Sequence, residues 1–327
     1  GLAELADDEF ARIGQRIVPP GTPCGDGLTA QAAQEMGLPA GTPVAVGLID
    51  AHAGGIGTVG VEGGALNNMA YVFGTSSCTM TSTNDPVFVP GVWGPYYSAM
   101  VPGLWLVEGG QSAAGAAIDQ LLAFHPAAED ARKLAQEAGL PLPVYLADRV
   151  SEKAPQASDA VTLVAGIHVV PEFLGNRAPF ADPHARAVIC GLGMERDLDN
   201  LLALYVAGLC GIGYGLRQII DAQTACGVRN KNIVISGGAG QHPLVRQLLA
   251  DTCGLPVLTT QCSEPVLLGS AILGAVAGNI SPSVAEAMTQ FTHVDTCYYP
   301  QTAYQPLHHR RYEAYKQLQH MAKMLRE

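Results

Sequence analysis

Three short stretches carry residue types suited to holding phosphate and moving a proton. At Phe73-Gly74-Thr75-Ser76-Ser77 an apolar run breaks into a glycine followed by three hydroxyl side chains. A turn of that composition presents successive backbone N–H groups and side-chain donors, which is how a loop cradles phosphate. An ordinary hairpin turn has the same composition, so this stretch alone is evenly balanced. At Ser236-Gly237-Gly238-Ala239-Gly240 a run of small residues follows the apolar segment ending at Ile235 and precedes a helix. In that setting a ligand can approach the backbone and the helix N-terminus closely, and the run is longer than a packing turn asks for. Asp50 closes the apolar run Pro43 to Ile49, read as a buried strand. A carboxylate at the carboxyl end of such a strand can take the proton of a hydroxyl attacking phosphorus. Its other role is to cap a helix starting near Ala51.

Two patterns compete with this reading. Gly55-Ile56-Gly57-Thr58-Val59-Gly60 matches the G-x-G-x-x-G dinucleotide fingerprint and keeps a NAD-dependent oxidoreductase among the rivals. The acidic residue that should follow about 20 positions later is missing, because Leu66 to Asn84 holds no carboxylate. Close packing is the better account of these glycines. Asp50 with His52, and the pair His308 and His309, suggest metal ligands, but no helical H-E-x-x-H spacing supports them. No metal-ligating residue is assigned.

The elements around these stretches follow from periodicity and punctuation. A helix-like start runs from Leu2 to Ile13, and Thr29 caps a short helix, Ala30 to Met36, closed by Gly37. Strands are expected at Met69–Phe73, Thr79–Thr83, Trp93–Met100 and Leu104–Val107. Helices are expected at Ser112–Phe124 and Ala128–Ala138, and Val161–Val170 reads as a strand. A long apolar helix spans Asp197–Cys226. Strand Asn232–Ile235, helix Pro243–Cys253, strand Pro256–Thr260 and helix Val266–Ala277 then alternate, and a polar helix, Leu307–Leu325, closes the chain. Bunched strands followed by helix–strand alternation predict an α/β fold, a mixed sheet flanked by helices.

Composition narrows the class further. Charged residues are 14% of the 327, and Gly is 38, a profile of a buried α/β core with many tight loops. The net charge is −11 and the 18 Lys and Arg are scattered, which disfavours nucleic acid as a partner. Leu201–Leu216 is too short to span a bilayer and Pro86–Val107 is interrupted by prolines, so no membrane partner is expected. The eight cysteines form no C-x-x-C pair, as in a reducing cytoplasm, and the expected localisation is cytoplasmic.

In order along the chain, five motifs resemble those of the FGGY carbohydrate kinases. They are Ile49-Asp50-Ala51-His52-Ala53-Gly54-Gly55, Phe73-Gly74-Thr75-Ser76-Ser77, Gly175-Asn176-Arg177-Ala178-Pro179, Ser236-Gly237-Gly238-Ala239-Gly240, and Glu264 with Leu268-Gly269-Ser270-Ala271. The first is closest in wording to the ribulokinase-like branch. The resemblance covers essentially the whole chain and corresponds to the later part of a full-length member. It implies an actin-like (ribonuclease H-like) ATPase fold, with residues 1–62 as the tail of a first, sugar-binding domain and 63–327 as a second, ATP-binding domain.

The same resemblance implies roles for single residues. Asp50 is the catalytic base and touches substrate, as does Glu108 in Glu108-Gly109-Gly110-Gln111-Ser112. Gly74, Thr75 and Ser76 hold the ATP phosphates. Gly237, Gly238 and Ala239 form the adenosine turn, His242 lies on the adenine side, and Gly115 lies near the nucleotide. The implied cofactors are ATP and Mg²⁺. The implied substrate is a small sugar or polyol, a ketopentose such as ribulose or xylulose, or a pentitol. The implied partner is a front domain outside this sequence, without which the chain is expected to be inactive, and a homodimer is compatible with the family. Leu204 and Ala207 depart from the family pattern, which points to a packing variation. A non-catalytic actin-like nucleotide-binding module remains the principal rival.

Overall fold

The computed structural model describes residues 3–164 and 166–327. Its strands are β1 (Asn68–Phe73), β2 (Ser77–Thr83), β3 (Trp93–Tyr97), β4 (Trp105–Gln111), β5 (His168–Val170), β6 (Val188–Cys190), β7 (Asn232–Ser236), β8 (Val257–Thr260) and β9 (Val294–Tyr298). Its helices are α1 (Glu4–Asp7), α2 (Ala30–Met36), α3 (Asp50–Val59), α4 (Gly115–Ala123), α5 (Ala128–Glu137), α6 (Leu142–Lys153), α7 (Leu198–Ala225), α8 (Pro243–Cys253), α9 (Pro265–Ala277), α10 (Val284–Phe291) and α11 (Gln305–Arg326). A seven-stranded sheet runs in the order β3-β4-β2-β1-β7-β8-β9, and β5 pairs with β6 separately. The β1–β7 and β7–β8 pairs are parallel and the other neighbours antiparallel. This is the expected mixed sheet flanked by helices.

The two-residue period of β1 sorts its side chains between two layers. Met69, Tyr71 and Phe73 join the core beneath α4, α7 and α8, while Ala70 and Val72 pack with α3, α9 and α10. The central helix of the first layer is α7, whose N-cap Asp197 accepts from the Asn200 amide at 2.9 Å. It is long and apolar enough to cross a membrane by length and composition, yet 94% of its apolar window is buried in this core. Leu204 and Ala207 are buried there too, which is the packing variation their departure suggested.

The second layer is held by close contact of α3 with α9. A Cβ added at Gly57 would collide with the Pro265 carbonyl, and one at Gly269 with the Ala53 carbonyl. Gly55 and Gly57 are therefore buried inside a helix, against Met100 and α9, and not on the strand-to-helix loop that a dinucleotide needs. The packing reading of this G-x-G-x-x-G stretch holds.

Several expectations need correction. Pro43–Ile49 is not a strand: only Ala45 makes a bridge, to Pro23, because prolines at 19, 20 and 23 remove donors from its neighbour. Asp50 accordingly opens helix α3 and does not close a strand. Val161–Val170 begins in the 3₁₀ segment Ala157–Val164 and is strand only from His168; residue 165 lies outside the described residues. The start of the chain is broken at Glu9 and Phe10, both with positive φ, into α1 and a 3₁₀ turn at Ala11–Ile13; residues 1 and 2 lie outside the described residues. Helices α6 and α10 and strand β9 had no sequence counterpart.

Candidate functional site

The two glycine-rich turns meet at one end of the sheet. Gly74–Thr75 follows β1, Gly237–Gly240 follows β7, and these strands are parallel neighbours pairing Val72 with Ser236. Helix α4 docks on the first turn: the Gly115 amide donates to the Gly74 carbonyl at 2.9 Å and the Ala114 and Ala116 amides to the Thr75 carbonyl at 2.9 and 3.1 Å. A Cβ at Gly115 would lie 2.8 Å from the Gly74 carbonyl and 3.4 Å from the Ala239 Cβ. Glycine at 115 thus lets the two turns approach each other.

Between them opens a cavity of about 550 Å³ that brings together Gly74, Thr75, Gly115, Gly238, Ala239 and His242. Its volume suits a nucleoside with phosphates. One side carries Thr75 and backbone, as phosphate needs, and the other Pro143, Val144, Tyr205 and Leu209, as a flat ring needs. His242 caps α8: its Nδ1 accepts from the Leu244 amide at 3.1 Å, so Nε2 carries the proton and donates to Asp148 at 3.2 Å. Ser76 does not line the cavity; its carbonyl accepts from the Gly74 amide at 3.0 Å and closes the turn.

A second cleft, about 320 Å³, adjoins the first. It is lined by Asp50, Ser236, Gly237, Gly238, Gln241 and Glu264 among others, and Gly238 and Gln241 also line the larger cavity. Gly237, with φ of 94°, therefore belongs to the Asp50 side. Asp50 is exposed, and one carboxylate oxygen accepts from the Ala51 amide at 2.8 Å. Asp50 is thus the first residue inside α3, whose N-cap is Ile49 with no side-chain cap, so the expected capping role is not seen and the residue faces an open cleft. A further cavity, about 840 Å³ between α11 and residues 172–186, holds none of the expected site residues.

Glu108 lies on β4 in a polar cluster. His52 on α3 donates from Nε2 to one carboxylate oxygen at 3.2 Å, and the Cys78 thiol donates to the other at 3.4 Å. The His52 hydrogen bond is the main reason Glu108 stays below the usual carboxylate range; Cys78 and Arg177 add to it against the effect of burial. Burial and the neighbouring Glu108 charge push the Cys78 thiol up to about 12, so it remains a donor. Sequence reasoning missed His52 and Cys78 because the His52–Glu108 contact joins residues 56 apart. It also missed Tyr205, Leu209, Val144 and Asp119, which read as ordinary helix residues. Arg177 was visible only as part of the Gly175–Pro179 motif.

Mixed sheet, flanking helices and paired turns define the actin-like ATPase fold of sugar kinases. The xylulose kinase structure from Rhodospirillum rubrum superposes with a TM-score of 0.73 over 94% of this chain and 57% of its own, at 22% identity. Residues 69–278 match the FGGY family of carbohydrate kinases, C-terminal domain. The chain belongs to this family, with a ribulokinase-like relationship. It is 40% identical to an FGGY carbohydrate kinase domain-containing protein of Xenopus laevis over 97% of this chain and 60% of that protein. It is 34% identical to a D-ribulokinase of Saccharomyces cerevisiae over 85% of this chain and 42% of that protein. The chain thus spans less than two thirds of the length of these relatives.

Proposed function

We propose that this chain is the ATP-binding part of a carbohydrate kinase that phosphorylates a hydroxyl of a ketopentose or pentitol. The observation that carries the reading is the junction at Gly238 and Gln241, where the cavity suited to a nucleotide opens into the cleft holding Asp50. Bound in the larger of the two clefts, ATP would supply the phosphoryl group, and Mg²⁺ would neutralise the charge that develops as it is transferred. Thr75 and the Gly74 turn hold the phosphate end, and Gly238 and Ala239 admit the adenosine. Asp50 takes the proton of the attacking hydroxyl, and Glu108 accepts from another substrate hydroxyl. Positioning accounts for most of the catalysis, since the protein makes no covalent bond.

Residues 1–62 are proposed as the tail of a sugar-binding domain, with α3 bridging it to residues 63–327. The length relation to the family members supports a further domain as the other wall of the cleft. The eight free cysteines fit a reducing cytoplasm. A non-catalytic nucleotide switch would share the turns but has no use for an exposed Asp50 next to them.

The test compares residues 1–327 alone with the full-length protein. Expected are thermal stabilisation of both by an ATP analogue and not by NAD, and ADP release dependent on D-ribulose, D-xylulose or a pentitol from the full-length protein only. Sugar phosphorylation by the chain alone would sink the two-part reading, and none by the full-length protein would sink the kinase reading.

A further inference from the structure

Around Glu108 the structure assembles more than a single carboxylate needs. Trp93, on the edge strand β3, is the cross-strand partner of Glu108 on β4, so the two stand side by side at one position of the sheet. The Trp93 ring is about half exposed, at 49%. The Arg177 guanidinium lies over that ring, 5.6 Å from its centre, and one of its nitrogens approaches the Ser77 carbonyl at 3.5 Å. Arg177 lowers the proton affinity of both Glu108 and Cys78 through space. Among the described residues, however, the ion-pair partner of Glu108 is His52, not Arg177. A cation and an anion thus influence each other's charge without forming an ion pair, beside a half-exposed tryptophan.

The cluster is tied to the helix that carries Asp50, although none of its residues lines the Asp50 cleft. His52, which holds Glu108, is two residues after Asp50 on α3, about 3 Å further along the helix axis. Ser77, whose carbonyl Arg177 approaches, ends the Gly74-Thr75-Ser76 turn. A stabilising structural ion pair would have brought Arg177 onto Glu108. Not paired with each other, the two groups can serve one hydroxyl that donates to the carboxylate and accepts from the guanidinium, both charge-assisted contacts. Arg suits this use because its flat fork donates along several fixed directions. An aromatic ring alongside offers an apolar face to the C–H side of a sugar, which a neutral polyhydroxylated ligand presents and water does not.

We infer that Arg177 and Trp93, with Glu108, form the wall that recognises the substrate's hydroxyl-bearing carbons distal to the phosphorylated one, and so determine specificity. The inference rests on the kinase reading. It assigns a role to the Gly175–Pro179 motif, which packing alone does not explain: Ala178 is buried against Gly109, but the Arg177 side chain before it turns back over the sheet end.

The test uses the full-length protein with D-ribulose and D-xylulose as probes, and the variants Arg177→Ala, Arg177→Lys, Trp93→Ala and Trp93→Phe. Expected is a roughly 10- to 100-fold rise in KM for the sugar with Arg177→Ala, from loss of a charge-assisted hydrogen bond. Arg177→Lys and Trp93→Phe recover part of the loss, and KM for ATP stays within about twofold in every variant. Unchanged sugar KM in both alanine variants overturns the inference. So does a parallel rise of the sugar and ATP constants, or a loss of melting temperature matching the loss of activity, since either marks a structural role. A wild-type protein that phosphorylates neither these sugars nor a pentitol removes the kinase reading, and this inference falls with it.

Discussion

Asp50 and Gly238, separated by most of the chain, line one cleft: the first opens α3 and the second lies in the turn after β7. The proposed proton acceptor and the proposed nucleotide turn are thereby set against each other by two helices and the parallel strand pair between them.

The Asp50 role is open to a discriminating substitution. Asp50→Asn keeps the shape and an oxygen for the Ala51 amide, at an exposed first position of α3 that no cap bond depends on. Folding and nucleotide affinity should therefore persist in the full-length protein, while kcat falls by roughly 10² to 10⁴. Steady-state kinetics beside a thermal melt decide it; wild-type turnover would leave Asp50 a surface residue of the first helical turn and nothing more.

Gly238 gives a cleaner case than most glycines, because a Cβ built there meets nothing within 4 Å. The added side chain enters the cleft and not the core. Gly238→Val should fold with little change in stability and lose ATP affinity by at least about tenfold through steric exclusion. Titration calorimetry on the folded variant measures this, and undiminished affinity would mean that the nucleotide does not approach this turn.

At Gly269 the opposite holds. Its Cβ would collide with the Ala53 carbonyl, so Gly269→Val must push α9 away from α3. The expected cost is about 1–3 kcal/mol or more, read from urea unfolding. A variant as stable as wild type would show that the helices are not in this contact in solution.

His308 predicts an acid-side loss of stability. It is fully buried, hydrogen-bonded through Nδ1 to Tyr214, and burial with the nearby Arg311 and Arg217 lowers its pKa to about 4. The unfolded chain takes up the proton near the ordinary value of 6.5, and the folded chain does so only near 4. The neutral ring is thus without effect above pH 6.5, and stability is lost as pH falls from 6.5 toward 4. The loss should reach roughly 2–4 kcal/mol. The buried carboxylates Glu172 and Asp251, raised by burial, push the opposite way, so the comparison must be with His308→Gln. The stability difference between wild type and variant should shift in the variant's favour between pH 6.5 and 4 and stay level above pH 7. A difference independent of pH would contradict the shift.

The part of the fold easiest to read was residues 197–277, where every element has its own punctuation. Asp197 caps α7, Pro243 and Pro265 open α8 and α9, and Gly254 closes α8 in the left-handed conformation. Short apolar runs without such marks were misread. Val161–Val164 winds into a 3₁₀ turn under α7, and periodicity over so few residues does not separate strand from helix. Proline at 141 and 143 concealed α6, although Pro is welcome in a first helical turn. The glycine and hydroxyl turns of the site were legible because their composition is itself the signal. The apolar lining of the larger of the two clefts, Val144, Tyr205 and Leu209, was not, since an apolar residue on a helix looks the same whether it meets the core or a cavity.

The backbone interlock of α3 with α9 has a mechanical consequence. Residues 37–49 are irregular, and α3 begins directly after them, fastened to the layer that also carries Pro265 and Val266 on the rim of the Asp50 cleft. Anything swinging about that irregular segment leaves Asp50 stationary relative to Gly238. The spacing between Asp50 and the Gly238 turn is then a constant of this chain. In the proposed reaction the hydroxyl would have to be carried to the base, because the base has no freedom to come to it.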